Sequence, residues 1–377
     1  MKTIKQKELE NKYQFKTDYV KDIKSFKDKI LKKTLIPHQV EFQAPPRGKK
    51  ICWLECPYCY GLSAEDNGER LEKDRGIEIL RQILDGGVNK IIFAGYATDP
   101  LNCSYISDLL ELTIKKKAIF GFNTKALRVE DKFCSILETN NLTEGSYISL
   151  SVDAGSNETY NKIHGVKTNT KIYDKVLINA QRLGKIKEKN FFDLSAAYLV
   201  NIHSSSEQDC ENFILNFMEA GCNLLRFTFP QQPKGIETEK GVIPSEIEKE
   251  KYKNTLENLK KKYENDNCSI LIVDADTDHD IYNKPRTVPC YARYIFPTVG
   301  FDGWLYNCSQ SSAPNFRNSA LGDLTKENFW ELFYQYESNK FQEFENICNK
   351  KINSSGCRCD RKEHVINQNI IDSKIFK

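Results

Sequence analysis

Between residues 49 and 235 the chain alternates strand-like and helix-like runs, and this alternation limits the possible folds more than any other feature. Candidate strands lie at Lys50–Leu54, Val88–Gly95, Ala118–Asn123, Tyr147–Val152, Phe192–Asn201 and Asn223–Phe229. Charged amphipathic helices separate them, around Asp74–Leu84, Tyr105–Lys115, Asp131–Glu138, Asn169–Leu183 and Glu207–Ala220. Strands connected through helices read as a parallel sheet, because parallel neighbours need a long crossover. Right-handed crossovers roll such a sheet toward a barrel. Six strands fall short of the eight that close one, so the α/β pattern predicts an open, partial (β/α)6 TIM-type barrel. Ligands bind such folds at the C-terminal ends of the strands.

A chain of 377 residues is long enough for two or three domains and a substantial core. Lys and Arg number 55 against 52 Asp and Glu, a formal charge of +3 that gives no bulk electrostatic footprint for nucleic acid. The start, Met1-Lys-Thr-Ile-Lys-Gln-Lys-Glu, is charged and lacks a signal-peptide core, and no apolar run is long enough to span a membrane. A cytoplasmic protein without a membrane partner is expected. Thirteen cysteines, an odd number without a secretory signal, argue against a disulfide scaffold and for metal or redox use.

Three of those cysteines form the loop Cys52-Trp-Leu-Glu-Cys56-Pro-Tyr58-Cys59-Tyr-Gly61, spaced C-x3-C-x2-C. Iron–sulfur cubanes are normally held by four thiolates, so three leave one iron open to a substrate or cofactor. A zinc knuckle is the competing assignment, but structural zinc wants four ligands in a closed site, and the next histidine is the distant His164. The loop resembles the signature of the radical S-adenosylmethionine (radical SAM) enzymes. In that family the open iron chelates SAM, and an electron from the cluster cleaves it to a 5'-deoxyadenosyl radical. The partial barrel is the core that this resemblance implies, with the loop after strand one at its open end.

The resemblance extends, more weakly, to other strand ends. Where the family has Gly-Gly-Glu-Pro after the second strand, this chain has Gly95-Tyr-Ala-Thr98-Asp99-Pro100, so Asp99 can supply a carboxylate for the SAM ammonium; alternatively, Asp99-Pro100 is a turn that opens the next helix. Asn123 ends the third strand. Ser149, Ser151 and Asp153 alternate along the fourth and suggest a polar barrel interior, whereas buried parallel strands are usually apolar on both faces. In the family, polar residues there meet the ribose. Tyr58, Gly95, Thr98, Asp99, Asn123, Ser149, Ser151 and Asp153 are thus the expected cofactor contacts. His164 precedes Gly165 where the family usually has Arg-Gly, which favours a structural or SAM-shaping role over catalysis; His203, before Ser204–Ser206, belongs to a serine-capped loop. Arg226 on the sixth strand needs an anionic partner, from cofactor, substrate or a neighbouring strand.

Residues 1–48 read as a helical extension, with apolar residues at Tyr19, Ile23, Phe26, Ile30 and Leu31 and stops at Pro37, Pro45 and Pro46. Residues 49–240 form the core and 241–284 a helix–strand linker, with a capping box at Ser245–Glu248, a strand at Ser269–Val273 and a solvated acidic loop at Asp274–Asp280. Residues 285–377 form a small C-terminal domain. Its Cys290-x12-Gly303-x4-Cys308 pattern, with an Asp302-Gly303 hairpin turn, resembles the SPASM and twitch extensions that carry auxiliary iron–sulfur clusters. One four-thiolate cluster can be filled here, by Cys290, Cys308, Cys357 and Cys359 with Cys348 in reserve; a closed zinc site has the same arithmetic. Cys103, Cys134, Cys210, Cys222 and Cys268 have no ligand spacing and read as buried small hydrophobes.

The resemblance therefore implies a [4Fe-4S] cluster, SAM and one auxiliary [4Fe-4S] cluster, reduced by a donor such as flavodoxin or ferredoxin. A small polar natural-product intermediate is the expected substrate, oxidised, epimerised or rearranged. A ribosomally made peptide is the alternative within the family, and a zinc-dependent RNA-binding or scaffold protein the alternative outside it.

Overall fold

The predicted alternation folds into a single sheet flanked by helices. The computed structural model describes residues 23–59, 64–95, 98–230, 242–274, 291–335, 367, 370, 373 and 374. Strands β1 (Val40–Gln43), β2 (Lys90–Ala94), β3 (Ile119–Thr124), β4 (Tyr147–Ser151), β5 (Asp193–Leu199), β6 (Leu224–Thr228) and β7 (Ser269–Val273) pair in parallel in chain order. At the β1 edge, β8 (Thr298–Val299) adds in parallel, and β9 (Trp304–Tyr306) and β10 (Gly322–Asp323) follow antiparallel. The helices are α1 (Ile23–Leu31), α2 (Lys73–Asp85), α3 (Ile106–Lys115), α4 (Asp131–Thr139), α5 (Asn157–Ile163), α6 (Ile172–Lys189), α7 (Glu207–Glu219), α8 (Glu246–Tyr263) and α9 (Phe329–Phe333). No described helix is long and apolar enough to cross a membrane.

Three expectations need correction. The first strand is Val40–Gln43, not Lys50–Leu54: Val40, Glu41 and Phe42 pair with Ile91, Ile92 and Phe93, and Pro45 and Pro46 then end the strand. Residues 50–54 form the loop beyond it, with Cys52 and Trp53 exposed. The helix–strand segment placed in a linker continues the α/β repeat, since β7 pairs with β6 along its whole length. The described C-terminal residues extend the same sheet on its other edge rather than building a separate one. Helix α1 forms and buries Phe26 and Ile30, but Leu31 is exposed. Helix α5, absent from the sequence reading, is too short to show a period; Ser156 caps it by accepting from the Thr159 amide.

Alternate strand residues face opposite sides of the sheet. The outer face carries Phe42, Phe93, Phe122, Ile148, Leu150, Leu194, Leu225 and Phe227, all buried. Phe93 stacks on Phe122 at 4.8 Å, and Phe122 meets Phe133 of α4 edge-on at 5.2 Å. Such aromatic contacts each add about 1 kcal/mol beyond the area they bury. The inner face is different. Asn123, Ser149, Ser195, Leu224 and Ser269 stand in one row across β3 to β7, so the inner face carries the polar side chains that the serines of β4 suggest, beside two small apolar clusters at Ile92, Ala94 and Tyr147 and at Leu224 and Leu271. The helices therefore bind the outer face by apolar burial, and the inner face is left for ligand chemistry.

Candidate active site

The three-thiol loop follows β1 at the C-terminal end of the sheet. Cys52 is exposed, Cys59 half-buried and Cys56 buried. The Cys59 amide donates to the Cys56 carbonyl at 3.0 Å and closes a turn, while the Leu54 amide points at Cys52 Sγ at 3.4 Å. The segment after α5 clamps this loop. The Glu55 amide donates to the His164 carbonyl at 3.0 Å, and Gly165, at φ +63°, lies so close that a Cβ there would sit 2.8 Å from Glu55 Cβ and 3.1 Å from its carbonyl oxygen. Glycine is required at this position for both reasons.

Beneath the loop lies a buried hydrogen-bonded network. Tyr58 donates to Asp153 Oδ2 at 2.7 Å, Lys125 donates to the same oxygen at 3.0 Å and to the Ser151 carbonyl at 3.1 Å, and the Leu199 amide donates to Asp153 Oδ1 at 2.9 Å. Burial alone would raise the Asp153 carboxyl, but the Lys125 ammonium, His164 and the hydrogen bonds hold it below the usual carboxylate range. Burial likewise opposes the Lys125 charge, yet Asp153 keeps its pKa above the ordinary value. His164 is fully buried. Its Nε2 faces the Val152 carbonyl at 3.0 Å, which assigns the proton there and leaves Nδ1 as acceptor for Cys56 Sγ, also at 3.0 Å. Burial, then the Lys125 charge, push His164 down to about 3, so it is neutral at pH 7, and burial pushes the Cys56 thiol up to about 12.

Asp99 and its neighbours build the adjoining wall. Asp99 Oδ1 accepts from the Leu101 amide at 3.0 Å and from Thr124 Oγ1 at 2.7 Å, and Oδ2 accepts from the Lys125 amide at 2.6 Å. Asp99 thus opens the turn at Pro100–Asn102 and ties the end of β2 to the end of β3. Its carboxylate is committed within the protein, as is that of Asp153, which acts as a latch on Tyr58 rather than an open acceptor. Gly95 is dictated by the Thr98 carbonyl, which would lie 1.8 Å from a Cβ, and Thr98 Oγ1 donates to the Ala44 carbonyl at 3.1 Å. Asn123, Ser149 and Ser151 are on the inner face, with Asn123 exposed to the mouth. Lys125 was missed in the sequence, although a cation just past a strand's C-terminal end was the available signal.

Of the second cysteine set, Cys308 lies buried just after β9. The predicted hairpin is present, with Gly303 at φ +83° between β8 and β9. Cys290, Cys348, Cys357 and Cys359 lie outside the described residues, as do Asp276, Asp278 and Asp280 of the acidic loop; Asp274 pairs with Lys249 at 3.0 Å. Cys103, Cys134, Cys210, Cys222 and Cys268 are buried, as expected of small hydrophobes. Ser206 caps α7, which puts His203 in the loop before it.

The donor set at the first loop fits an iron–sulfur cube. Its three thiols are the ligand type that iron–sulfur cubanes take; among the described residues no three His, Cys, Asp or Glu side chains are grouped to hold a single metal ion. The clamp by Gly165 and the latch on Tyr58 fix the loop's path around such a group.

Residues 49–213 match the family model described as the Radical SAM superfamily. An S-adenosylmethionine-dependent nucleotide dehydratase of Flammeovirga pacifica is 27% identical over 133 residues, covering 34% of this chain and 43% of that protein. The match thus spans less than half of the relative's length. Streptococcus suis SuiB bound to precursor peptide SuiA overlays with a TM-score of 0.61 at 14% identity, covering 84% of this chain and 69% of that one. Native anSMEcpe with bound AdoMet and Cp18Cys peptide overlays with a TM-score of 0.57 at 18% identity, covering 90% and 97%. At these identities the overlays show the shared fold alone.

Proposed function

We propose that this chain, whose residues 49–213 match the Radical SAM superfamily model, is a radical SAM enzyme that abstracts hydrogen from a small polar substrate held in the mouth of the barrel. The observation that carries this reading is the three-thiol loop seated over a polar inner face. When bound at that loop, a [4Fe-4S] cluster and SAM supply a 5'-deoxyadenosyl radical, the hard chemistry that a protein delegates to a cofactor. Cys52, Cys56 and Cys59 hold the cluster as thiolates. Tyr58, Asp153, Lys125 and His164 keep the loop in register with β3 and β4, while Asn123, Ser149 and Ser151 line the approach to it. Gly95 and Thr98 offer backbone and hydroxyl at the end of β2, beside Asp99.

Cys290, Cys308, Cys357 and Cys359, with Cys348 in reserve, are proposed to hold an auxiliary [4Fe-4S] cluster that relays electrons; the buried Cys308 beyond the β8–β9 hairpin supports this. Flavodoxin or ferredoxin fits as the external donor. The hydroxyl-lined interior favours a small polar substrate, and the name of the Flammeovirga pacifica relative, a nucleotide dehydratase, points the same way. A peptide substrate is the second reading, favoured by the overlay on two structures that contain peptides.

Anaerobically reconstituted protein is expected to bind about eight irons, as two cubanes, and to form 5'-deoxyadenosine when reduced. A colourless protein with bound zinc and no SAM cleavage would overturn the reading. Mass spectrometry after co-expression with neighbouring genes separates the substrates, because a mass loss of two hydrogens on a short peptide would displace the small metabolite.

A further inference from the structure

The cysteine loop reaches the surface between two lysine-bearing segments. Cys52 and Trp53 are exposed, Trp53 by 49%. Just before them, Lys49 and Lys50 are exposed as well. On the other side, the segment after α5 touches the loop where Gly165 meets Glu55, and it brings Lys162, Lys167 and Lys171, all exposed. Asn161 fixes the path of that segment. Its side-chain amide donates to the carbonyls of Thr168 at 3.1 Å and Thr170 at 2.9 Å, and its backbone carbonyl accepts from the Val166 amide at 2.9 Å. The backbone that carries these lysines is thereby held against the loop.

The charge around the loop is unbalanced. Residues 49–59 and 162–171 hold five lysines and one carboxylate, Glu55, although the whole chain has an excess of only +3. None of the five ammonium groups is paired among the described residues. Of the next acids along the chain, Asp66 pairs with Arg70 at 2.8 Å and Glu69 with Arg317, which leaves Glu65. A lysine run by itself is an ordinary solvated face. Here the lysines flank an exposed aromatic ring and a thiol of the loop at which an electron has to enter. Electron transfer between proteins falls off steeply with distance, so a carrier must dock where that sulfur comes to the surface. Clustered positive charge draws in an anionic partner and speeds its approach about tenfold or more.

We propose that Trp53, with Lys49 and Lys50 on one side and Lys162, Lys167 and Lys171 on the other, forms the docking surface for an acidic one-electron carrier of the flavodoxin or ferredoxin class. This rests on the reading that the loop holds an iron–sulfur cluster. One electron leaves the reduced carrier and enters at the loop, and no bond is made or broken in that step. An exposed aromatic residue within a charged rim suits a small, transient interface, the kind that redox partners form.

Anaerobic stopped-flow mixing of the reconstituted full chain with a reduced acidic flavodoxin tests the assignment, with calorimetry of the oxidised flavodoxin as the measure of binding. The second-order rate of cluster reduction is expected to fall about tenfold or more from low to high salt. Lys49→Glu with Lys50→Glu, and Lys167→Glu with Lys171→Glu, should each slow it about tenfold at low salt and weaken binding in parallel. Lys251→Glu with Lys261→Glu, exposed positions on α8, changes the net charge equally and should leave both measures within about twofold. Photoreduced deazariboflavin, a small uncharged reductant, should reduce every variant at the wild-type rate. Reduction that ignores salt, loop-lysine variants that behave as wild type, or equal slowing with deazariboflavin overturns the surface. Lysine-dependent binding of polyuridylate, with no binding of flavodoxin or of an acidic ferredoxin, makes it a nucleic-acid surface and overturns the assignment as well. Formation of 5'-deoxyadenosine is scored in the same samples. Cleavage with lysine-independent reduction defeats the surface alone, whereas a protein without a cluster that still binds flavodoxin through these lysines supports the surface and defeats the radical reading.

Discussion

Asp153 adopts φ +63°, a left-handed conformation that costs a non-glycine residue of order 1 kcal/mol or more. Bonds to its carboxylate from Tyr58, Lys125 and the Leu199 amide offset that cost, and they also connect the cysteine loop to β3, β4 and β5. Replacing Asp153 by Asn leaves the Lys125 ammonium without its counter-charge, and a loss of about 3 kcal/mol in urea unfolding is expected. The difference has a pH signature. The folded carboxyl is held below its unfolded value, so the stabilisation is complete above a pH of about 4 and disappears as pH falls through the lower folded value. Wild type and Asp153→Asn should therefore converge in strong acid, and a gap that stays constant with pH would contradict the assigned charge. The cysteine spacing could be read from the sequence because eight neighbouring positions contain it. The latch could not, because Tyr58 lies 95 positions from Asp153 and Lys125 lies 28 from it.

Among the elements, α6 shows how packing reverses a propensity. Gly184 lies inside this helix, where Ala would normally be favoured by about 1 kcal/mol. A Cβ at Gly184, however, would lie 2.0 Å from the Ala220 carbonyl oxygen, and this backbone contact brings α6 against the turn between α7 and β6. Gly184→Ala is expected to lower the urea midpoint by an amount equivalent to about 1–3 kcal/mol, the size of an overpacking penalty. At α8 the local signal survives unaltered. Ser245 accepts from the Glu248 amide and Glu248 accepts in return from the Ser245 amide, so Ser245→Ala should cost about 1 kcal/mol. That cap was legible because it is written within four consecutive residues. The first strand was misplaced because Lys50–Leu54 and Val40–Gln43 are both short, and only pairing with β2 distinguishes them.

On the scale of the whole molecule, the sheet continues past both ends of the segment expected to be the core. A fragment of residues 49–240 would lack β1, leaving one side of β2 unpaired, and β7, exposing the edge of β6. It is expected to aggregate or remain unfolded, as seen by circular dichroism and light scattering, whereas the full chain folds cooperatively. A soluble, cooperatively unfolding fragment would show that the added strands are dispensable. The sequence by itself determined the parallel α/β class and the three-thiol loop, because hydrophobic period and ligand spacing are properties of neighbours along the chain. Tertiary structure alone decided which strand comes first, that β7 and the β8–β10 strands complete the sheet, and that Asp99 and Asp153 spend their carboxylates on the protein itself. Those outcomes depend on pairing and burial between residues far apart in sequence, where the cost of an unpaired edge or an unpaired charge is set.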